Sequence, residues 1–167
     1  MSPDFQMMNL AVMSVFELAN RALKRTAYSF EYVSEHGGLV RSSIGCTIHT
    51  ERLADQLFDT LFIAANTYPQ ALSPEFISTL NEQRASCRRV AAPCTGAFVL
   101  AESGLLNGLK ATTHWFFANQ FKITYPKVNL ESDRIYINDS CPRGLGGMSD
   151  EGFAWRYELP EELRFRA

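Results

Sequence analysis

Apolar positions at 8, 12, 15, 16, 19 and 23 recur at a helical period within residues 7–24 and predict an amphipathic helix. The aromatic and β-branched run at 28–34 (YSFEYVS) predicts a strand, with His36-Gly37-Gly38 as the turn after it. Residues 39–50 predict only a weak extended segment. The compact apolar run 59–65 (DTLFIAA) suits a strand buried on both faces. Ser73-Pro74-Glu75 signals a helix start, serine as cap and proline at the first helical position, and the helix runs to about Ser86. Arg89–Ala92 predicts a short apolar strand, Ala97–Leu106 a helix ending near Gly108, and Lys110–Thr113 an extended piece. Residues 115–125 predict a helix stopped by Pro126, and Arg134–Asn138 a strand. Strands alternating with helices imply an α/β domain with a mainly parallel sheet.

Residues 140–167 have another texture. They hold four of the ten glycines, nine charged residues and two prolines in 28 positions, and no clean period. They predict a divergent, poorly packed tail, with one or two short helical turns at Glu158–Arg166. The 167 residues correspond to one domain, and 46% apolar with 20% charged positions is the balance of a globular chain. Sixteen basic against eighteen acidic residues leave a net charge of −2, so no basic stripe for nucleic acid is expected. No apolar window is long enough to span a bilayer, and Asn9, Ser14 and Glu17 interrupt the start where a secretory signal would lie. Cys46, Cys87, Cys94 and Cys141 form neither a CxxC pair nor a zinc pattern, which implies free thiols and a cytoplasmic setting. His36, His49 and His114 stand apart, and no metal or cofactor is expected.

The chemistry concentrates at Pro93-Cys94-Thr95-Gly96. A cysteine at the joint of a buried strand and a helix meets free N–H groups that stabilise a thiolate. Ala92 and Gly96 are small enough for the sharp turn that a nucleophile elbow needs. His114 follows at the end of another expected strand, so parallel strands bring it to the same sheet edge. The bland alternative is a buried packing cysteine and a hydrogen-bonded structural histidine. Cys46, Cys87 and Cys141 are read as structural, His36 and His49 as solvated. Trp115-Phe116-Phe117 is read as core, with Trp115 able to line a pocket beside His114.

The stretch CTGAFVLAESGLLNGLKATTHW, Cys94 to Trp115, closely resembles the ThiJ/PfpI superfamily, also called class I glutamine amidotransferase-like. Within it the resemblance is nearest to the N-terminal sensor domain of AraC-type (GlxA-like) transcription regulators. FQMMNLAVMSVFELAN near the start, VSEHGGLVRSSIG at 33–45 and DTLFIA at 59–64 support it, so that residues 3–139 are covered. The resemblance implies a flavodoxin-like three-layer sandwich over residues 1–139, lacking the family's first strand and its final strand and helix. It places Asn9 where the superfamily usually carries an acidic residue facing the cysteine. It places Ala65 and Asn66 where two glycines are common. An amide cannot share a proton with a thiolate as a carboxyl can, but it can donate a hydrogen bond to one. Glycines allow a close backbone approach that alanine permits less readily.

These departures favour a regulator's ligand-sensing domain over a hydrolase. The expected ligand is a small nitrogenous metabolite held by Asn9, Ala65, Asn66, Cys94, Thr95, Gly96, His114 and Trp115. A homodimer is expected, with no direct nucleic-acid binding and no membrane partner. The DNA-binding half of such regulators is not recognised here, so the chain reads as a truncated or frame-altered form of a longer regulator. The alternative is a small cysteine enzyme, an amidase-like hydrolase, hydratase or glyoxalase-like activity, with Cys94 as nucleophile and His114 as proton shuttle.

Overall fold

The computed structural model describes residues 1–139 and 145–148. A 3₁₀ turn at Met7–Leu10 leads into α1 (Ala11–Leu23), which closes on Lys24 in the left-handed region. Then follow β1 (Val33–Ser34), β2 (Gly38–Arg41), β3 (Thr47–Arg52) and β4 (Thr60–Phe62). Next come α2 (Pro74–Ser86), β5 (Arg89–Pro93), α3 (Gly96–Glu102) and β6 (Lys110–Ala111). A 3₁₀ turn at Trp115–Phe117 precedes α4 (Ala118–Thr124), and β7 (Asn129–Leu130), β8 (Tyr136–Asp139) and β9 (Leu145–Met148) complete the order.

The α2 helix shows how local chemistry sets a boundary. Ser73 is extended, its hydroxyl oxygen accepts from the Phe76 N–H at 2.9 Å, and Pro74 opens the helix without needing a donor. The same hydroxyl donates to the Glu35 carboxylate, which ties the helix start to the β1–β2 turn. Ser73→Ala should therefore lower stability by about 1 kcal/mol in urea denaturation, as expected for a lost cap.

One sheet has the order β4-β5-β9-β8, a second β1-β3-β2, and β6 pairs with β7. β4, β5 and β9 run parallel, with Leu61 opposite Val90 and Ala92 opposite Gly147. β8 turns back antiparallel onto β9. Residues alternate sides along β4. Leu61, Ile63 and Ala65 join the main core with Phe76 and Leu80 of α2 and Phe98 of α3. Phe62 instead meets Phe16 of α1, ring centroids 5.9 Å apart, and Ala64 packs with Phe5 and Val40. Helices on both faces of the strands make the three-layer α/β sandwich that the sequence predicts.

Three expectations change. The aromatic run at 28–34 forms ladder pairs only at Val33–Ser34. Among the described residues no strand lies between this run and β4. A cavity of about 530 Å³ lies there, lined by Tyr28, Phe30, Tyr32, Leu61, Phe16 and Phe76 among others. Met1 and Ser2 close one end, the Met1 α-nitrogen donating to the Val33 carbonyl at 2.6 Å and the Ser2 N–H to the Ala64 carbonyl at 3.3 Å. Secondly, residues 38–52 form an antiparallel hairpin, β2 and β3, rather than one weak extended piece. Only Val40 and Thr50 are buried in it, so hydrophobic alternation is faint. Thirdly, β9 lies inside the stretch that reads as a patternless tail. Its ladder to β5 and β8 uses backbone groups, and two of its four residues are glycines. The rest of the expected tail, including Cys141 and the turns at Glu158–Arg166, lies outside the described residues.

Candidate functional site

The site grows out of the β5–α3 joint. Val90 and Ala92 are buried, and the chain must reverse from strand into helix within Cys94 and Thr95. Cys94 makes the turn in the left-handed region, φ +53°, a conformation that is costly for a residue with a side chain and that clusters at functional sites. Gly96 makes it sterically possible. A Cβ there would lie 2.9 Å from the Ile63 carbonyl oxygen and 3.1 Å from the Ala92 Cβ. The small residues flanking Cys94 thus do what the sequence argument required of them.

Cys94 is 2% exposed. Its thiol donates to Gln6 Oε1 at 3.8 Å, and Gln6 Nε2 in turn donates to the Thr67 hydroxyl at 3.0 Å. Gln6 thus contacts the sulfur, a position for which the resemblance indicates Asn9. Asn9 is buried nearby, but its amide donates to the Ala65 carbonyl at 3.0 Å. The Gln6 N–H reaches the same carbonyl at 3.1 Å. Gln6 was missed because it precedes the 3₁₀ turn, in extended conformation, and lies outside the helical pattern.

Ala65 and Asn66 are both buried beside the elbow. The Asn66 carbonyl accepts from the Thr95 hydroxyl at 2.6 Å, and Phe5 forms isolated bridges with both Asn66 and Ser42. Residues 2–9 thus strap the β4 loop to the elbow. From the other side the Thr113 hydroxyl donates to the Cys94 carbonyl at 3.1 Å. This leaves His114 one residue along from a direct tether to the elbow. The His114 imidazole is half-buried, stacks on Trp115 with centroids 5.4 Å apart and planes at 29°, and accepts at Nδ1 from the Phe116 N–H.

Of the site residues taken from the sequence, Asn9, Ala65, Asn66, Cys94, Thr95 and Gly96 form one connected, buried group, and His114 adjoins it through Thr113. Trp115 is outermost, at 64% exposed. Reading 115–117 as core needs correction for two of the three. Phe116 is equally exposed, and only Phe117 is buried, against Phe98. A 3₁₀ turn directs successive side chains a third of a turn apart, so three aromatics in a row cannot share one face.

Chemically, a buried thiol facing a neutral amide oxygen uses its proton as a hydrogen-bond donor. Cys46 is exposed and Cys87 is buried. Burial pushes the Cys87 thiol up from its ordinary value. His36 and His49 are solvated, at 82% and 70% side-chain exposure. Among the described residues no group of three or more His, Cys, Asp or Glu side chains could hold a metal ion, and no helix is long and apolar enough to cross a membrane.

The chain is similar to an HTH-type transcriptional regulator, CdhR, of Pseudomonas aeruginosa, at 28% identity over 149 residues. That covers 87% of this chain but 44% of the regulator, so the chain spans less than half its length. It is 40% identical over 105 residues to an uncharacterized protein in the cpoL 5' region of Streptomyces lividans, covering 60% of this chain and 73% of that one. In three dimensions it superposes on an AraC family transcriptional regulator from Pseudomonas putida with a TM-score of 0.71, at 17% identity, over 88% of this chain and 79% of that structure. The fold is accordingly the flavodoxin-like sandwich expected from the resemblance. The family model of the DJ-1/PfpI family matches residues 12–139, which span the helix α1, the elbow and His114. With the elbow geometry, the ordered motifs and this match in agreement, the chain belongs to the DJ-1/PfpI family.

Proposed function

We propose that the chain is the ligand-sensing domain of an AraC-type regulator and binds a small nitrogenous metabolite at the elbow site in the cytoplasm. The observation that carries this reading is the set of groups around Cys94. The thiol donates to the Gln6 amide oxygen, and the Asn9 amide and the Asn66 backbone carbonyl belong to the same buried hydrogen-bonded group. Such a site holds and orients a ligand through neutral hydrogen-bonding groups. The likeness to HTH-type regulators over most of this chain supports the same reading. Binding acts by shifting domain packing or homodimer geometry, and DNA contact belongs to another domain or chain.

A thermal-shift screen of amino acids, amines and betaines tests the proposal. At a hundredfold excess over Kd a ligand adds about 2.7 kcal/mol, which raises Tm by about 5–10 °C for a domain of this size. Absence of any stabiliser in the screen overturns it. One observation favours the enzyme reading, the left-handed Cys94 turn, since a strained elbow is also how hydrolases present a nucleophile. Iodoacetamide labelling separates the two. The sensor reading expects exposed Cys46 to label first and buried Cys94 to follow slowly. Rapid labelling of Cys94 well below about pH 8 would transfer support to the enzyme.

A further inference from the structure

Two sheet edges face one another across the cavity beside β4. Among the described residues β4 pairs only with β5, and β1 only with β3. Asp59 and Ile63 turn their backbone groups to β5. The Asp59 carbonyl accepts from the Arg89 N–H at 3.1 Å, and the Ile63 N–H donates to the Ala91 carbonyl at 2.9 Å. Successive residues of an extended chain point these groups to opposite sides, so those of Thr60 and Ala64 point to the cavity. Across it the Tyr32 carbonyl accepts from the Glu51 N–H of β3 at 2.8 Å, and the Val33 carbonyl points the other way, towards β4. Glu31, Val33, Thr60 and Ala64 all line the cavity.

One end of this gap is already bridged as a strand would bridge it. Met1 donates to the Val33 carbonyl on one edge, and the next residue, Ser2, donates to the Ala64 carbonyl on the other. Alternate bonding to two neighbours is the pattern of a strand inside a sheet. Continued back through the cavity, that pattern runs alongside residues 28–33 and 60–64 in their own direction. Above and below, the walls are apolar, with Leu10 and Met13 from the α1 side and Phe76 and Leu80 from α2. At roughly 3.3 Å per residue, the edge from Thr60 to Ala64 takes a segment of about five residues.

We propose that the gap is a slot for a β-strand from another polypeptide, a segment of about five residues, apolar on both faces, that joins β1 to β4 in parallel. Main chain is selected over a compact apolar molecule because its donors and acceptors alternate between two edges. Valine, isoleucine and leucine are selected because both faces are covered, as in a buried parallel strand. Met1 and Ser2 close the slot and set the register.

The test uses the full chain and the peptide acetyl-Lys-Lys-Val-Leu-Val-Ile-Val-amide, with fluorescein on the first lysine and photoreactive leucine as its leucine. Anisotropy should show saturable binding, and the crosslinks, mapped by mass spectrometry, should fall within residues 28–33 or 57–64. The same peptide N-methylated at its valines keeps the side chains but loses its donors to one edge. It should bind at least about tenfold more weakly. Thr60→Pro removes an N–H that faces the slot and leaves the β5 ladder intact, so it should weaken the parent peptide as well. Circular dichroism checks that this variant folds, and the N-methylated peptide decides the question on the unaltered chain if it does not. Equal affinity for the parent and N-methylated peptides would mean an apolar pocket that reads no backbone, and overturns the proposal. Crosslinks elsewhere, or no saturable binding, overturn it too.

Discussion

Phe121→Ala should unfold this domain more readily than any other single truncation near the site, by about 3–5 kcal/mol. The ring is fully buried on α4. It meets Phe98 edge-on at 4.9 Å and Tyr125 at 5.2 Å, and Phe98 in turn touches Phe117 at 6.2 Å. Truncation removes the apolar area, leaves a cavity between two helices, and deletes two ring pairs. Neighbours cannot collapse into the gap, because Tyr125 is also held by a hydrogen bond to Glu102; burial, with the nearby Glu102 carboxylate, pushes its phenol above the usual range. Globular domains hold only about 5–15 kcal/mol in total, so the loss is a large share. The urea midpoint should fall with an unchanged slope. Phe116→Ala is the control. That ring is 64% exposed, and its loss should stay within about 0.5 kcal/mol. A cost below about 1 kcal/mol for Phe121→Ala would mean that α4 is not packed as described.

The elements legible in the sequence are those whose boundaries are set by local chemistry. Ser73-Pro74 opens α2 because a hydroxyl cap and a donor-free residue act within one turn, and the structure begins the helix there. β5 and the elbow were legible for a similar reason, since a buried strand ending in Cys94 between Ala92 and Gly96 leaves few ways to turn. Elements defined by partners elsewhere were not. Residues 28–32 have strand chemistry, but a strand needs a neighbour, and among the described residues they face a cavity on the β4 side. β9 has the neighbours and lacks the side chains, so its ladder leaves no trace in hydropathy.

The same distinction runs through the site. Cys94, Thr95 and Gly96 follow from one local motif. Gln6 does not, because its approach to the sulfur depends on residues 2–9 being strapped across the β4 loop, with Phe5 fully buried between Ser42 and Asn66. Asn9 was placed at the sulfur by its position on the first helix. A three-residue offset on a 3₁₀ turn followed by an α-helix is enough to redirect its amide to the Ala65 carbonyl. The resemblance indicates which residues lie near the elbow; the hydrogen bonds show that Gln6 contacts it.

Gly96→Ala isolates the elbow as a unit. In an ordinary helix this exchange gains up to about 1 kcal/mol, because glycine loses more backbone freedom on folding. Here the added methyl meets the Ile63 carbonyl oxygen at 2.9 Å and the Ala92 methyl at 3.1 Å. Neither can step aside. Ile63 is anchored to β5 by its N–H on the Ala91 carbonyl at 2.9 Å, and Ala92 is fully buried inside β5. Steric cost of about 1–3 kcal/mol should therefore exceed the propensity gain, and the net change is destabilising. Because the clash pushes α3 away from β4, the elbow should open and Cys94 should alkylate faster than in the parent, while exposed Cys46 keeps its rate. Adding Ala92→Gly removes the second contact and leaves the first. The double variant should recover part of the loss attributed to Gly96, beyond what adding the two single effects allows. Additive costs with an unchanged Cys94 rate would show that the tight β4–β5–α3 approach is not what holds the cysteine in its strained turn.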